Sequence, residues 1–184
     1  MSSFSFSISS LIYMALLIIS YFGKKRIKSE ENKIYSLIVI VTFIGVLAEN
    51  ISYFAQIFGI LNVNSVCYNI LTKFILIYFS TWILLFVIYV FIISFKNRHL
   101  SKKMIMFLKN SFYIIYLAIV LITLCLPVEI YNVESTIYPK GIGVNIQYLI
   151  SGVCICIMFV CLILNHKELN NKKYFPLFMF LILG

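Results

Sequence analysis

Long apolar runs, each close to the length needed to cross a bilayer, alternate along this chain with short polar segments. The candidate spans are residues 4–22, 34–61, 66–95, 104–126 and 145–164, and a sixth, 174–184, begins at Tyr174 and stops at Gly184. A helix needs about 20 mostly apolar residues to cross the hydrocarbon core, so the last run is about half a span: either its end is buried against other helices or, the reading preferred, the sequence is a fragment. The fold class expected is all-α. Residues 1–184 form a single membrane domain, a polytopic transmembrane helix bundle of five complete spans plus a truncated sixth, without a repeat, linker or low-complexity tract.

Composition strengthens this reading. A chain that is 62% hydrophobic and 11% charged has too little polar surface to fold as a soluble globule. The placement of charge then orients it. All of the fifteen Lys and Arg except Lys73 and Lys140 fall in three segments in or beside the connections between spans, Lys24 to Lys33, Lys96 to Lys109 and Lys167 to Lys173. Connections on the cytoplasmic side retain Lys and Arg, so Lys24 to Lys33, Lys96 to Lys103 and Lys167 to Lys173 are expected in the cytoplasm and the N-terminus outside the cell membrane. No charge precedes Lys24, which argues against a cleaved secretory signal. On the outer side the pattern predicts a short turn at Asn62 to Ser65 and a longer connection, Pro127 to Val144, with Glu129, Glu134, Pro139, Gly141 and Gly143. The net charge of +9 is divided among three juxtamembrane segments and forms no single basic face. Nucleic acid is therefore not an expected partner, whereas the lipid bilayer and its anionic headgroups are.

Polar residues at membrane depth are costly, so their arrangement is the best guide to function. Thr42, Gly45, Glu49, Ser52 and Gln56 recur at steps of three and four, which places them on one face of the second span. Asn69, Lys73 and Ser80 share a face of the third. Gln147, Ser151, Cys154, Cys161 and Asn165 do so on the fifth. Such faces must meet other helices or a water-filled cavity, because an unsatisfied polar group in lipid costs several kcal/mol. Glu49 and Lys73 fall at similar depths from the outer ends of their helices, and an ion pair between them is expected. That pair either fixes helix register or lines a pocket open to the outside; two groups that snorkel separately are the third reading. Asn50 points about 100° from Glu49 and serves another contact.

Other residue types exclude chemistry. Asp is absent, which removes Asp-based metal sites. Cys154 and Cys156, two residues apart on a helix, point about 200° from one another and cannot share an ion. Cys67, Cys125 and Cys161 likewise read as packing residues. His99 and His166 read as solvated residues of cytoplasmic segments. Tyr21, Phe22, Tyr35, Tyr113, Tyr131 and Tyr174 read as an interfacial aromatic belt. No nucleophile triad, phosphate-binding glycine loop or zinc motif occurs, so neither metal nor cofactor is expected.

The stretch KKRIKSEENKIYSLIVIVTFIGVLAENISYF within Lys24 to Phe58, with KFILIYFSTWILLFVIYV from Lys73 to Val90, resembles the N-terminal membrane region of sensor histidine kinases from Gram-positive bacteria. The stretch NNKKYFPLFMFLILG resembles a late span of that group and of membrane-bound diguanylate cyclases. In such proteins the membrane region precedes a cytoplasmic catalytic module. This sequence departs from that pattern in holding no phosphoacceptor histidine box, no ATP-binding region and no GGDEF sequence, so kinase or cyclase activity would belong to other residues. The resemblance implies a sensory input region without catalysis of its own. The polar stripe in the outer half of the second span, beside the acidic outer connection, points to a ligand bound from the outer side or within the membrane, and a homodimer is a further expected partner. The alternative is a membrane transporter with a polar path along the second span; a membrane enzyme of lipid or polysaccharide metabolism is disfavoured because no nucleophile and base are paired.

Overall fold

The computed structural model describes residues 2–23, 25, 29–58, 66–95, 102–133 and 136–164. Five helices follow in order, α1 Ser2–Phe22, α2 Glu30–Ile57, α3 Val66–Ser94, α4 Lys102–Cys125 and α5 Ile142–Leu164, and the fold is all-α apart from one hairpin. Three of the helices contain segments long and apolar enough to cross a membrane: Glu30–Ala55, Val66–Ser94 and Ile142–Leu164. The apolar stretches Ile8–Phe22 of α1 and Asn110–Cys125 of α4 are shorter among the described residues. Five helices thus follow in the expected order, but three of them, and not the expected five, are long and apolar enough to span among the described residues. Residues 174–184, Asn165, His99 and His166 lie outside the described residues.

Local chemistry sets the helix boundaries. Helix α2 starts a turn before the apolar run because Ser29 caps it, its hydroxyl accepting the Asn32 N–H at 3.2 Å. Glu30 and Glu31 then occupy the first turn, where the helix dipole favours anions. Helix α5 also starts early. Its entry is Gly141, at φ +125°, a conformation suited to glycine, and the Gly141 carbonyl accepts the Asn145 N–H at 3.1 Å.

The long connection between α4 and α5 folds as an antiparallel hairpin, β1 Glu129–Val133 with β2 Thr136–Lys140. Ile130, Tyr131, Val133, Ile137 and Tyr138 supply the β-branched and aromatic residues that strands favour. The register sets Glu129 across from Lys140, one of the two cations outside the basic segments. Opposite charges facing across a pair support that register. Pro139 is tolerated because each strand of a two-stranded sheet has a free edge.

Helix α3 is the centre of the bundle, with α2, α4 and α5 packed around it and α1 packed on α2. The main core joins Ile83, Val87 and Val90 of α3 to Ile38 of α2, Ile119 of α4 and Met158 and Leu162 of α5. A smaller core, Leu76, Val128 and Val144, seats the root of the hairpin on α3. The outward faces are apolar: Ile12, Leu16 and Ile19 on α1, and Leu149, Val153, Val160 and Ile163 on α5, are all exposed. Exposed apolar area on this scale suits hydrocarbon and not water.

Candidate functional site, a polar layer near the hairpin end

The polar face of α3 meets the polar face of α5. Ser80, at 3% exposure, and Gln147, also at 3%, are joined by a hydrogen bond between the Ser80 hydroxyl and Gln147 Oε1. The amide Nε2 of Gln147 donates in turn to the hydroxyl of Thr123 on α4, so one side chain ties three helices together. Ser151 lies one turn along α5, buried, and donates to the Gln147 carbonyl at 2.8 Å. Every hydroxyl in this layer also has a carbonyl four residues back in its own helix: Ser80 to Leu76 at 3.0 Å and Thr123 to Ile119 at 2.8 Å. A hydroxyl has one proton to give. Ser80 therefore chooses between Leu76 and Gln147, and the layer holds two arrangements without stranding a donor.

Lys73 lies nearer the hairpin end, on the same face of α3 as Ser80. Its Nζ donates to the Leu124 carbonyl at 2.7 Å, one of the last four carbonyls of α4, which have no partner within their helix. A cation there also complements the helix dipole. Asn69, one turn before Lys73, has its Oδ1 buried and without a hydrogen bond.

The expected Glu49–Lys73 ion pair is not formed. Glu49 sits in electrostatic range of Tyr78, while Lys73 reaches α4. Residues 73 and 78 are about 140° apart around α3, so similar depth brings the two charges to different sides of the central helix. On α2, Gly45 and Ser52 are both buried, Ser52 bonding Tyr68 across to α3, and Thr42 donates to the Ile38 carbonyl at 2.7 Å. Glu49 lies between Gly45 and Ser52 on that face and yet is exposed. Among the described residues it forms no ion pair and accepts no hydrogen bond. Asn50 is the more buried neighbour, at 4% exposure, and donates to the Val46 carbonyl at 2.7 Å. The side chain of Gln56 lies outside the described residues.

The opening at Glu49 depends on how closely α2 approaches α3 one turn away. A Cβ built on Gly45 would collide with the Tyr78 ring, so the ring lies directly on the glycine. Gly45→Ala is expected to push Tyr78 aside and destabilise the fold by about 1 kcal/mol, at the low end of overpacking costs. Thermal unfolding in detergent, with Gly152→Ala as the control because nothing lies within 4 Å of a Cβ there, checks this.

Thr123 is the member of the layer that the sequence did not point to. It is the one threonine of α4, set in the apolar run 117–125, and the residue on its face seven positions earlier is an aromatic, Tyr116. The signal for it lay on α5, where a buried glutamine amide requires both an acceptor and a donor from neighbouring helices.

Comparison with protein-family models, with curated proteins and with solved structures found no match to this chain.

Proposed function

We propose that this chain is a membrane-embedded sensory input region of a bacterial signalling protein, without catalysis of its own. It crosses the cell membrane with its N-terminus outside on α1 to α5, residues 174–184 open a sixth span, and anionic headgroups meet its basic segments. The hairpin end then faces outward.

The observation that carries the reading is Glu49, an exposed carboxylate between the buried Gly45 and Ser52 on one helix face. A charge at membrane depth without a counterion costs a few kcal/mol even on insertion scales, so the position calls for a cation, a hydrogen-bond donor or a neighbouring chain to complete it. On the opposite side of α3 the Ser80, Gln147 and Thr123 layer offers alternative hydrogen bonds to that helix. A ligand at Glu49 that favours one packing of α2 on α3 shifts the population by its difference in affinity for the two. The resemblance to sensor kinase membrane regions supports the same reading.

The test replaces the chromosomal gene with Glu49→Ala in the native host and compares transcript profiles at equal membrane abundance. Glu49→Ala is expected to reproduce the profile of the deletion or of a locked state. A profile identical to the wild type, or solute flux through the purified protein in liposomes that Glu49→Ala abolishes, sinks the sensor reading, and the second outcome establishes transport.

A further inference from the structure

Two contacts fix the antiparallel register of α2 on α3: the Tyr78 ring lies on Gly45, and Tyr68 bonds Ser52. Glu49, between Gly45 and Ser52, is therefore about level with residues 71–74 of α3. Phe74 lies one turn from Tyr78 on the same face of α3, and Tyr53 lies one turn beyond Glu49 on the same face of α2. Three aromatic side chains thus border one exposed carboxylate, Phe74 exposed and Tyr53 and Tyr78 half-buried. Tyr78 is in electrostatic range of that carboxylate. Lys73, the cation of α3, lies on another side of the helix and is engaged by the Leu124 carbonyl.

We infer that Glu49, with Tyr53, Phe74 and Tyr78 around it, binds a monovalent organic cation, an amine or quaternary ammonium ion with an apolar body. The inference deepens the sensory reading and rests on its claim that a ligand completes Glu49. The carboxylate supplies the opposite charge, and the faces of aromatic rings attract a cation through their quadrupoles. A neutral hydrogen-bond donor would leave the charge of Glu49 uncompensated. A metal ion needs several oxygen, nitrogen or sulfur ligands, and the described residues hold no group of three or more His, Cys, Asp or Glu. The surroundings set the rest of the ligand. Ile57 continues the Glu49 and Tyr53 face of α2 towards the hairpin end, Ile70 continues the Phe74 face of α3, and both are exposed. A small hydrated ion would have to shed its water among these side chains, whereas an apolar body on the cation is at home there.

The probe is radiolabelled benzyltrimethylammonium, a permanent cation, with the protein in phosphatidylcholine nanodiscs and empty nanodiscs as the blank. Saturable binding is expected, and an excess of neopentylbenzene, the uncharged carbon isostere, should leave it in place. Glu49→Gln should weaken binding about tenfold or more, and Glu49→Asp, which keeps the charge, should retain most of it. Phe74→Leu, an exposed position where folding is not at stake, and Tyr78→Leu should each weaken it about two- to tenfold. Tyr148→Leu, on the exposed face of α5, should change nothing. Binding no greater than that of empty nanodiscs, binding indifferent to Glu49→Gln, or equal displacement by neopentylbenzene overturns the inference. The two readings fail separately. If the probe does not bind while Glu49→Ala alters the transcript profile, the organic cation is ruled out and sensing stands; if it binds at Glu49 while that profile is unchanged, the cation site stands and sensing is ruled out.

Discussion

Gln147→Ala is expected to be among the most damaging single truncations in the bundle, lowering stability by about 2 to 3 kcal/mol. Hydrogen bonds between membrane helices average about 0.6 kcal/mol and reach about 1.7, so losing the bonds to Ser80 and Thr123 accounts for about 1 to 2 kcal/mol. The cavity left among three helices, at about 24 cal/mol per Å³, adds about 1 kcal/mol more. Gln147→Leu should cost only the first part. It fills the space, and both hydroxyls fall back on the Leu76 and Ile119 carbonyls, leaving no buried donor unmet. Tyr148→Ala, on the exposed side of α5, should stay within about 0.5 kcal/mol. Reversible unfolding in mixed micelles checks the order; if Gln147→Leu proves worse than Gln147→Ala, the layer is held by polarity in a way these fallback bonds do not explain.

Lys73→Glu should cost a similar amount, about 2 to 3 kcal/mol, because it removes a charge-assisted hydrogen bond and places an anion against the carbonyl end of α4. Lys73→Met should cost about 1 kcal/mol, since the site is partly open to solvent and screening weakens the bond. Amide exchange at Leu124 and Cys125 should quicken in both. Combining Lys73→Met with Glu49→Gln should give additive losses within about 0.5 kcal/mol, as befits two charges on different sides of α3. A coupling well above that would restore the ion pair.

These residues also mark where the sequence was legible. Helical periodicity assigned Gln147, Ser151 and Cys154 to one face of α5, and all three are buried. It also grouped Asn69, Lys73 and Ser80 on α3, of which Ser80 is buried and Asn69 and Lys73 are half-buried. What it lacked was the azimuth between helices: depth along a span can be counted from its ends, but which neighbour a face meets depends on the packing of the whole bundle. That is why Lys73 was matched to Glu49 on depth alone, whereas it finds the carbonyl end of α4. The same limit concealed Thr123, whose role exists only at a three-helix junction. The hairpin was hidden for a different reason. Glycine, proline and acid in Pro127 to Val144 suggested an irregular loop, while the alternating Ile, Tyr, Val and Thr that form the ladder occupy two runs of five residues each.

The placement of the chain in the membrane supports every functional statement above, and cysteine accessibility tests it most directly. In a background with the native cysteines replaced by alanine, Lys28→Cys, Leu100→Cys and Ser135→Cys are each exposed to a membrane-impermeant maleimide in intact cells. The expected result is labelling at 135 in intact cells and at 28 and 100 only after permeabilisation, which puts the hairpin outside and the basic segments in the cytoplasm. Labelling of 28 or 100 in intact cells, with 135 protected, would invert the bundle and contradict the account.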